Sequence, residues 1–138
     1  MSWDYMNGNY IAGFFDGEGS LQVRIRKDER YKSGFQILMR AEITQKNKEI
    51  LEILQNHLKM GNIYFNSHDK LWQYHIYKIR DLEKLIKVVL PKSIVKKDQL
   101  QRFSECIKIV VNRQHVTQEG VNKIKNLWFV RESEANTP

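Results

Sequence analysis

The sequence predicts an α+β domain with the element order αββαββα, followed by extra C-terminal helices. Three observations predict it. Paired segments alternate apolar and polar residues with period two, the mark of strands with one buried and one wet face. Between them lie segments with apolar residues at helical spacing, bounded by capping residues or proline. No linker rich in Pro, Gly or Ser divides the 138 residues, so a single domain with its own core is expected.

The elements follow in order. The first apolar stretch is "YIAGFFDGEGS", Tyr10 to Ser20. Its apolar run Tyr10 to Phe15 reads as a short helix that Asp16-Gly17-Glu18-Gly19 terminates. Glycine weakens a helix by about 1 kcal/mol relative to alanine, so Gly13 and Gly17 need a cause. Either they form a loose terminal turn, or they leave a small face on which another backbone packs. In the next segment Leu21, Val23 and Ile25 alternate with Gln22, Arg24 and Arg26. After the polar link "KDERYKSG", Phe35, Ile37, Met39, Ala41 and Ile43 alternate with Gln36, Leu38, Arg40 and Glu42, and the two segments read as a hairpin.

In "NKEILEILQNHL", Asn47 is the expected cap and Ile50, Leu51, Leu54 and Leu58 form the apolar stripe. Gly61 opens a second strand pair, "NIYFNS" and "KLWQYHIYKI", with Ile63, Phe65, Trp72, Tyr74 and Ile76 inward. Asp81 is the expected cap of a third helix, with Leu82, Leu85, Ile86 and Val89 inward and Pro91 as its stop. The basic loop "PKSIVKKD" leads to a longer helix bearing Leu100, Phe103, Ile107, Val110 and Val111. A last helix is expected over Gln118 to Phe129. The core then spans about residues 8–112, a helical extension 113–130 and a frayed tail 131–138.

Composition narrows the function. Lys and Arg total 23 against 16 Asp and Glu, a net charge of +7, which favours a polyanionic partner. No apolar run approaches the ~20 residues of a membrane span, and the polar start "MSWDYMNGN" does not read as a secretory leader. Cys106, the only cysteine, is expected as a core thiol. An intracellular setting follows, the cytoplasm of a prokaryote or an organelle compartment. His57, His68 and His115 lack paired ligand spacing, and no Gly-rich phosphate loop precedes a lysine.

The wet strand faces carry chemistry suited to base edges. The first hairpin offers Gln22, Arg24, Arg26, Gln36, Leu38, Arg40 and Glu42; the second offers Tyr64, Asn66, Gln73 and His75. Arg holds guanine through two hydrogen bonds, Gln holds adenine, Glu accepts from cytosine, and a two-stranded ribbon fits a major groove. The plainer alternative is that these are only the solvated sides of amphipathic strands. Trp72 and Trp128 are expected in the core.

Ile11-Ala12-Gly13-Phe14-Phe15-Asp16-Gly17-Glu18-Gly19 resembles the nine-residue signature of the LAGLIDADG homing endonucleases. The segment "ITQKNKEIL" is also similar to the region after that family's second strand. The resemblance implies an αββαββα core whose curved antiparallel sheet is a saddle for double-stranded DNA. One motif implies a homodimer paired through Ala12, Gly13, Asp16 and Gly17, with Asp16 capping or bracing the helix end. By the same resemblance Glu18 and the Gly17 carbonyl hold a divalent metal, Mg2+ or alternatively Mn2+. Gln45 orients the attacking water, and Lys96, with Lys97 as its neighbouring alternative, stabilises charge on the phosphate. Glu18 stands where Asp is commoner; Lys48 is a further basic candidate, while Glu49 departs from the pattern.

The function implied is a site-specific homing endonuclease, intron- or intein-associated, that hydrolyses phosphodiesters in a long pseudo-palindromic site. Its cuts would be staggered with short 3′ overhangs. A maturase that binds its host intron RNA and a DNA-binding regulator that does not cleave are the alternatives on the same fold.

Overall fold

The computed structural model describes residues 6–135. Helix α1, Gly8–Glu18, starts at Asn7, whose side-chain oxygen accepts from the Tyr10 amide at 3.0 Å. It runs on through Asp16 and Gly17, so the acidic segment expected to stop the helix is instead its last turn. Strand β1, Gly19–Lys27, follows without a loop. Glycine is required at the junction by space, because a Cβ on Gly19 would lie 2.4 Å from the Phe15 ring.

Strand β2, Phe35–Gln45, pairs antiparallel with β1 from Lys27 opposite Phe35 to Gly19 opposite Ile43. In the connecting loop the Asp28 carboxylate accepts from the Arg30 guanidinium at 2.6 Å and from the Arg30 amide at 3.1 Å. These bonds hold the half-buried Asp28 at a pKa of about 2. Helix α2, Lys48–Leu58, is capped as expected: the Asn47 side chain accepts from the Ile50 amide at 3.0 Å. Leu51, Leu54 and Leu58 are buried beneath it.

Gly61 then takes φ +85°, and a Cβ there would meet the Tyr74 ring at 2.5 Å and the His75 carbonyl at 2.7 Å. Strands β3, Asn62–Asn66, and β4, Leu71–Ile76, form the second hairpin. The hairpins join through β2 and β4, giving the order β1-β2-β4-β3 with every pair antiparallel. Tyr74 and Ile76 are buried, and the Tyr74 hydroxyl donates to the Met60 carbonyl at 2.6 Å. Phe65 departs from its expected core position: it is 51 % exposed and leans on the half-buried Trp72 with ring centroids 4.8 Å apart. This pair lies toward the turn end of the edge hairpin, away from the buried Tyr74 and Ile76.

Helix α3, Ile79–Val89, begins two residues before Asp81, so Asp81 lies in the first turn and is not the cap. Its carboxylate still complements the helix dipole there. Leu82, Leu85, Ile86 and Val89 are buried, and a short 3-10 turn, Leu90–Lys92, carries Pro91. Helix α4, Lys97–Val111, buries Leu100, Phe103 and Ile107 toward the core and Arg102, Cys106 and Ile109 as well. Val111, expected inward, is the last residue of the helix and is 48 % exposed. Burial pushes the Cys106 thiol up to about 12, which leaves it an unreactive core group.

The C-terminal segment is more continuous than expected. Helix α5, Gln118–Ile124, passes into a π-helical turn, Lys125–Val130, and then into helix α6, Arg131–Ala135. Residues 131–135 are therefore helical, not frayed; the rest of the expected tail, 136–138, lies outside the described residues. Arg102 fastens this segment to α4, donating to Asp98 at 3.0 Å, to the Leu127 carbonyl at 3.3 Å and to Glu132 at 3.2 Å. Among the described residues no helix is long and apolar enough to cross a membrane. The helices cover one face of the sheet, and the other face stays open.

Candidate functional site

The open face displays one parity of every strand. Gln22, Arg24 and Arg26 of β1 stand opposite Arg40, Leu38 and Gln36 of β2. Glu42 of β2 stands opposite His75 of β4, and Gln73 stands opposite Tyr64 of β3. Asn66 shares the face at the far end of β3. All eleven residues expected on the wet faces are therefore brought together on one surface. Ser20, Thr44 and Asn62 share it too, opposite Glu42, Gln73 and His75. Sequence reasoning missed these three, although continuing the same two-residue parity by one step would have found them.

These side chains bond to one another. Arg26 donates to Gln36 and Arg40 to Gln22, each at 2.5 Å. Gln22 and Thr44 donate to Glu42, each at 3.2 Å, and the Tyr64 and His75 ring centroids lie 5.0 Å apart. Burial lowers the His75 pKa below its ordinary value; Glu42 opposes that shift and Arg40 adds to it. Where β4 ends and β2 runs on, a cleft of about 430 Å³ opens beside Arg24, Arg40, His75 and Tyr77.

A second group forms at the C-terminal end of α1. Asp16 sends its carboxylate across to the loop before α4, accepting from the Ser93 hydroxyl and from the amides of Ile94 at 2.8 Å, Val95 at 3.1 Å and Lys96 at 3.3 Å. Desolvation alone would raise the Asp16 pKa, but these bonds together hold it below its ordinary value. The Lys96 ammonium returns to the Asp16 carbonyl at 2.7 Å, a cation on the negative end of the helix. Lys97 starts α4, is exposed and makes no such bond. Asp16 thus braces the loop of its own chain.

Glu18, two residues further on, is exposed, and its carboxylate has no hydrogen-bond or ion-pair partner among the described residues. Gln45 comes to the same end of the sheet, two residues past the Ile43 that pairs with Gly19, on the parity that faces the helices. Lys48 lies over the ring of Trp72, the residue opposite Gln45, at 4.5 Å. Glu49 occupies the first turn of α2, where its charge suits the helix dipole.

The outward side of α1 carries Gly13 and Gly17 alongside Tyr10 and Phe14, whose rings stack with centroids 6.1 Å apart. Gly13 and Gly17 are exposed, and a Cβ on either would meet nothing within 4 Å. Nothing inside the described chain requires glycine at these two positions. Ala12, expected on this face, is only 2 % exposed and belongs to the chain's own core, because it shares the inward stripe with Ile11 and Phe15. Ile94 and Val95, pinned by Asp16 beside the end of α1, are 85 % and 77 % exposed.

The family model described as "LAGLIDADG endonuclease" matches residues 11–110. The chain is 28 % identical over 130 residues to "Probable intron-encoded endonuclease 2" of Neurospora crassa, covering 88 % of this chain and 28 % of that protein. It is 30 % identical over 105 residues to "Homing endonuclease I-ApeII" of Aeropyrum pernix, covering 71 % of this chain and 60 % of that protein. The chain thus spans about a quarter of the Neurospora relative's length. Among solved structures, the archaeal intron-encoded homing endonuclease I-Vdi141I complexed with DNA superposes with a TM-score of 0.84 at 31 % identity, covering 95 % of this chain and 85 % of that one. The meganuclease I-SmaMI bound to uncleaveable DNA gives 0.82 at 29 % identity, covering 88 % of this chain and 43 % of that one.

Proposed function

Because the chain belongs to the LAGLIDADG endonuclease family, we propose that it cuts both strands of a specific double-stranded DNA site as a homodimer. The observation that carries this is the grouping at the end of α1: an unpartnered Glu18 carboxylate, the Lys96 ammonium held on the Asp16 carbonyl two residues before it, and Gln45 at the adjoining strand end. This group lies beside an open polar sheet face in a chain of net charge +7. The relatives whose names specify endonucleases, and the I-Vdi141I structure with DNA, support the same reading.

The sheet face would read DNA. The eleven residues of β2 reach about 35 Å at the usual strand rise, close to one turn of B-DNA. Arg, Gln and Asn side chains on it match the hydrogen-bonding edges of base pairs. One copy would read one half of a pseudo-palindromic site and a second copy the other half. The side of α1 carrying Gly13 and Gly17 would meet its twin, bringing two Glu18 carboxylates together. Such like charges favour a cation between them.

The donor set fits a hard divalent cation: a free carboxylate at Glu18 and the Gly17 carbonyl in the last helical turn, both oxygen. When bound, Mg2+ or Mn2+ supplies Lewis-acid stabilisation of the phosphodiester oxygens. Lys96 holds its ammonium in place through the Asp16 carbonyl and directs its remaining N–H bonds at charge gathering on the phosphate. Gln45 orients the water that attacks phosphorus in line as the 3′ oxygen leaves. Two such centres facing one minor groove give a staggered cut with 3′ overhangs.

Selection of cleaved sites from a randomised duplex library, with Mg2+ present, tests this reading. Specific cuts bearing 3′ overhangs are expected, lost in Glu18→Gln while site-specific binding persists. Specific binding without cleavage by the unaltered chain would make it a DNA-binding regulator. No specific DNA binding, with retention on host intron RNA, would make it a maturase.

A further inference from the structure

The wet face has an organising centre. The Glu42 side chain is only 11 % exposed, and groups from three strands converge on its carboxylate. Gln22 of β1 donates to it at 3.2 Å, Thr44 of β2 donates to it at 3.2 Å, and the Arg40 guanidinium lies 3.3 Å away. From β4, His75 Nε2 lies 3.7 Å from the same carboxylate and 3.1 Å from the Gln73 side-chain oxygen. Gln22 closes a ring, because its own oxygen accepts from Arg40 at 2.5 Å.

This arrangement has a chemical consequence. A glutamine reads adenine with its oxygen and its NH2 at once. Both ends of Gln22 are already engaged, the oxygen by Arg40 and the NH2 by Glu42. Glu42, in turn, accepts from its neighbours where a base-reading glutamate would accept from cytosine. A largely buried carboxylate is retained at low cost only where such partners surround it. Arg40 is aimed by the same contacts, with its side chain 37 % exposed and therefore able to meet a ligand.

We propose that Glu42 is a positioning residue that locks Gln22, Arg40 and Thr44 into one unit, so that adjacent base pairs are read jointly rather than one residue at a time. The proposal rests on the DNA-binding function proposed above and adds its mode of specificity. Arg26 and Gln36, bonded to each other further along the same hairpin, form a separate pair outside this unit.

The test is binding selection on a randomised duplex library, performed in the Glu18→Gln background so that cleavage plays no part. Against that parent, Glu42→Gln keeps the side chain's size and removes its charge. It is expected to weaken preference about tenfold at two or more adjacent base pairs together. Binding to non-specific duplex should be unchanged or tighter, since one negative charge has gone. Adding Gln22→Ala to Glu42→Gln should change little further at those positions, whereas adding Arg26→Ala should alter others independently. If Glu42→Gln alters a single base pair, Glu42 is a direct reader and the proposal fails. If it alters none, or if the two substitutions act additively, the proposal also fails. A parent chain with no sequence preference overturns both the DNA-binding function and this mode of reading, and so is distinguished from failure of the mode alone.

Discussion

Asp16 shows how one side chain ties the first helix to a loop about eighty residues away. Its carboxylate satisfies three successive amides and a hydroxyl in the segment Ser93 to Lys96. Because its folded pKa is depressed, its ionised form contributes stability above the unfolded pKa of about 4, and that contribution is lost as pH falls through the lower folded value. Asp16→Ala should therefore destabilise the fold by about 1–2 kcal/mol at pH 7, a difference that shrinks toward pH 2. Urea denaturation of both proteins across that range measures it; a pH-independent difference would mean the charge plays no part. Gly61 gives a sharper case, since its φ of +85° and the nearby Tyr74 ring both oppose a side chain. Gly61→Ala should cost about 2–4 kcal/mol in the same assay, more than an ordinary overpacked site. A loss below 1 kcal/mol would mean that the α2–β3 connection relaxes easily.

At the scale of elements, a buried cation clasps the C-terminal segment. Arg102 bonds to Asp98 of its own helix, to the Leu127 carbonyl in the π-helical turn and to Glu132 in α6, and its guanidinium lies 5.5 Å from the Trp128 ring. Replacing it with methionine keeps the apolar stem and removes these bonds, so Arg102→Met should cost about 1–3 kcal/mol. The loss should be local, with limited proteolysis nicking residues 125–135 before the sheet; uniform protection would show that Trp128 packing alone holds the segment. Neither this clasp nor the π-helical turn was legible in the sequence, because both depend on which distant groups Arg102 and Trp128 meet. The hairpins were legible for the opposite reason: period-two alternation records one buried face, and Val23, Met39 and Ala41 against Arg24, Leu38 and Arg40 state it locally. The pairing of β2 with β4 left no local signal, and so Phe65, which alternation alone put inward, proved exposed. Likewise the family resemblance singled out Glu18 and Lys96 as candidates, but the bond from Lys96 to the Asp16 carbonyl joins residues eighty apart and belongs to the fold alone. Ala12 kept two readings in the sequence, because small residues suit either a core or an interface; in the described chain it packs into the core.

At the scale of the whole molecule, the same ambiguity becomes an experiment at Gly13. Nothing in the described chain lies within 4 Å of a Cβ there, so the isolated chain has no steric reason to keep glycine. By helix propensity alone, Gly13→Ala should stabilise α1 by up to about 1 kcal/mol, and Gly13→Leu should leave the monomer fold within about 0.5 kcal/mol of the parent. A close helix pair between two copies predicts something else. A leucine side chain on each of two facing backbones would hold them apart, and the site at Glu18 would lose its second carboxylate. Gly13→Leu is therefore expected to fold with unchanged circular dichroism and to elute as a monomer where the parent elutes as a dimer. It should lose double-strand cleavage by at least two orders of magnitude. Size-exclusion chromatography with light scattering, run beside the cleavage assay, separates these outcomes. Loss of cleavage with the dimer intact would place Gly13 in contact with DNA instead, and an unchanged dimer with unchanged cleavage would show that Gly13 is not in the contact between copies.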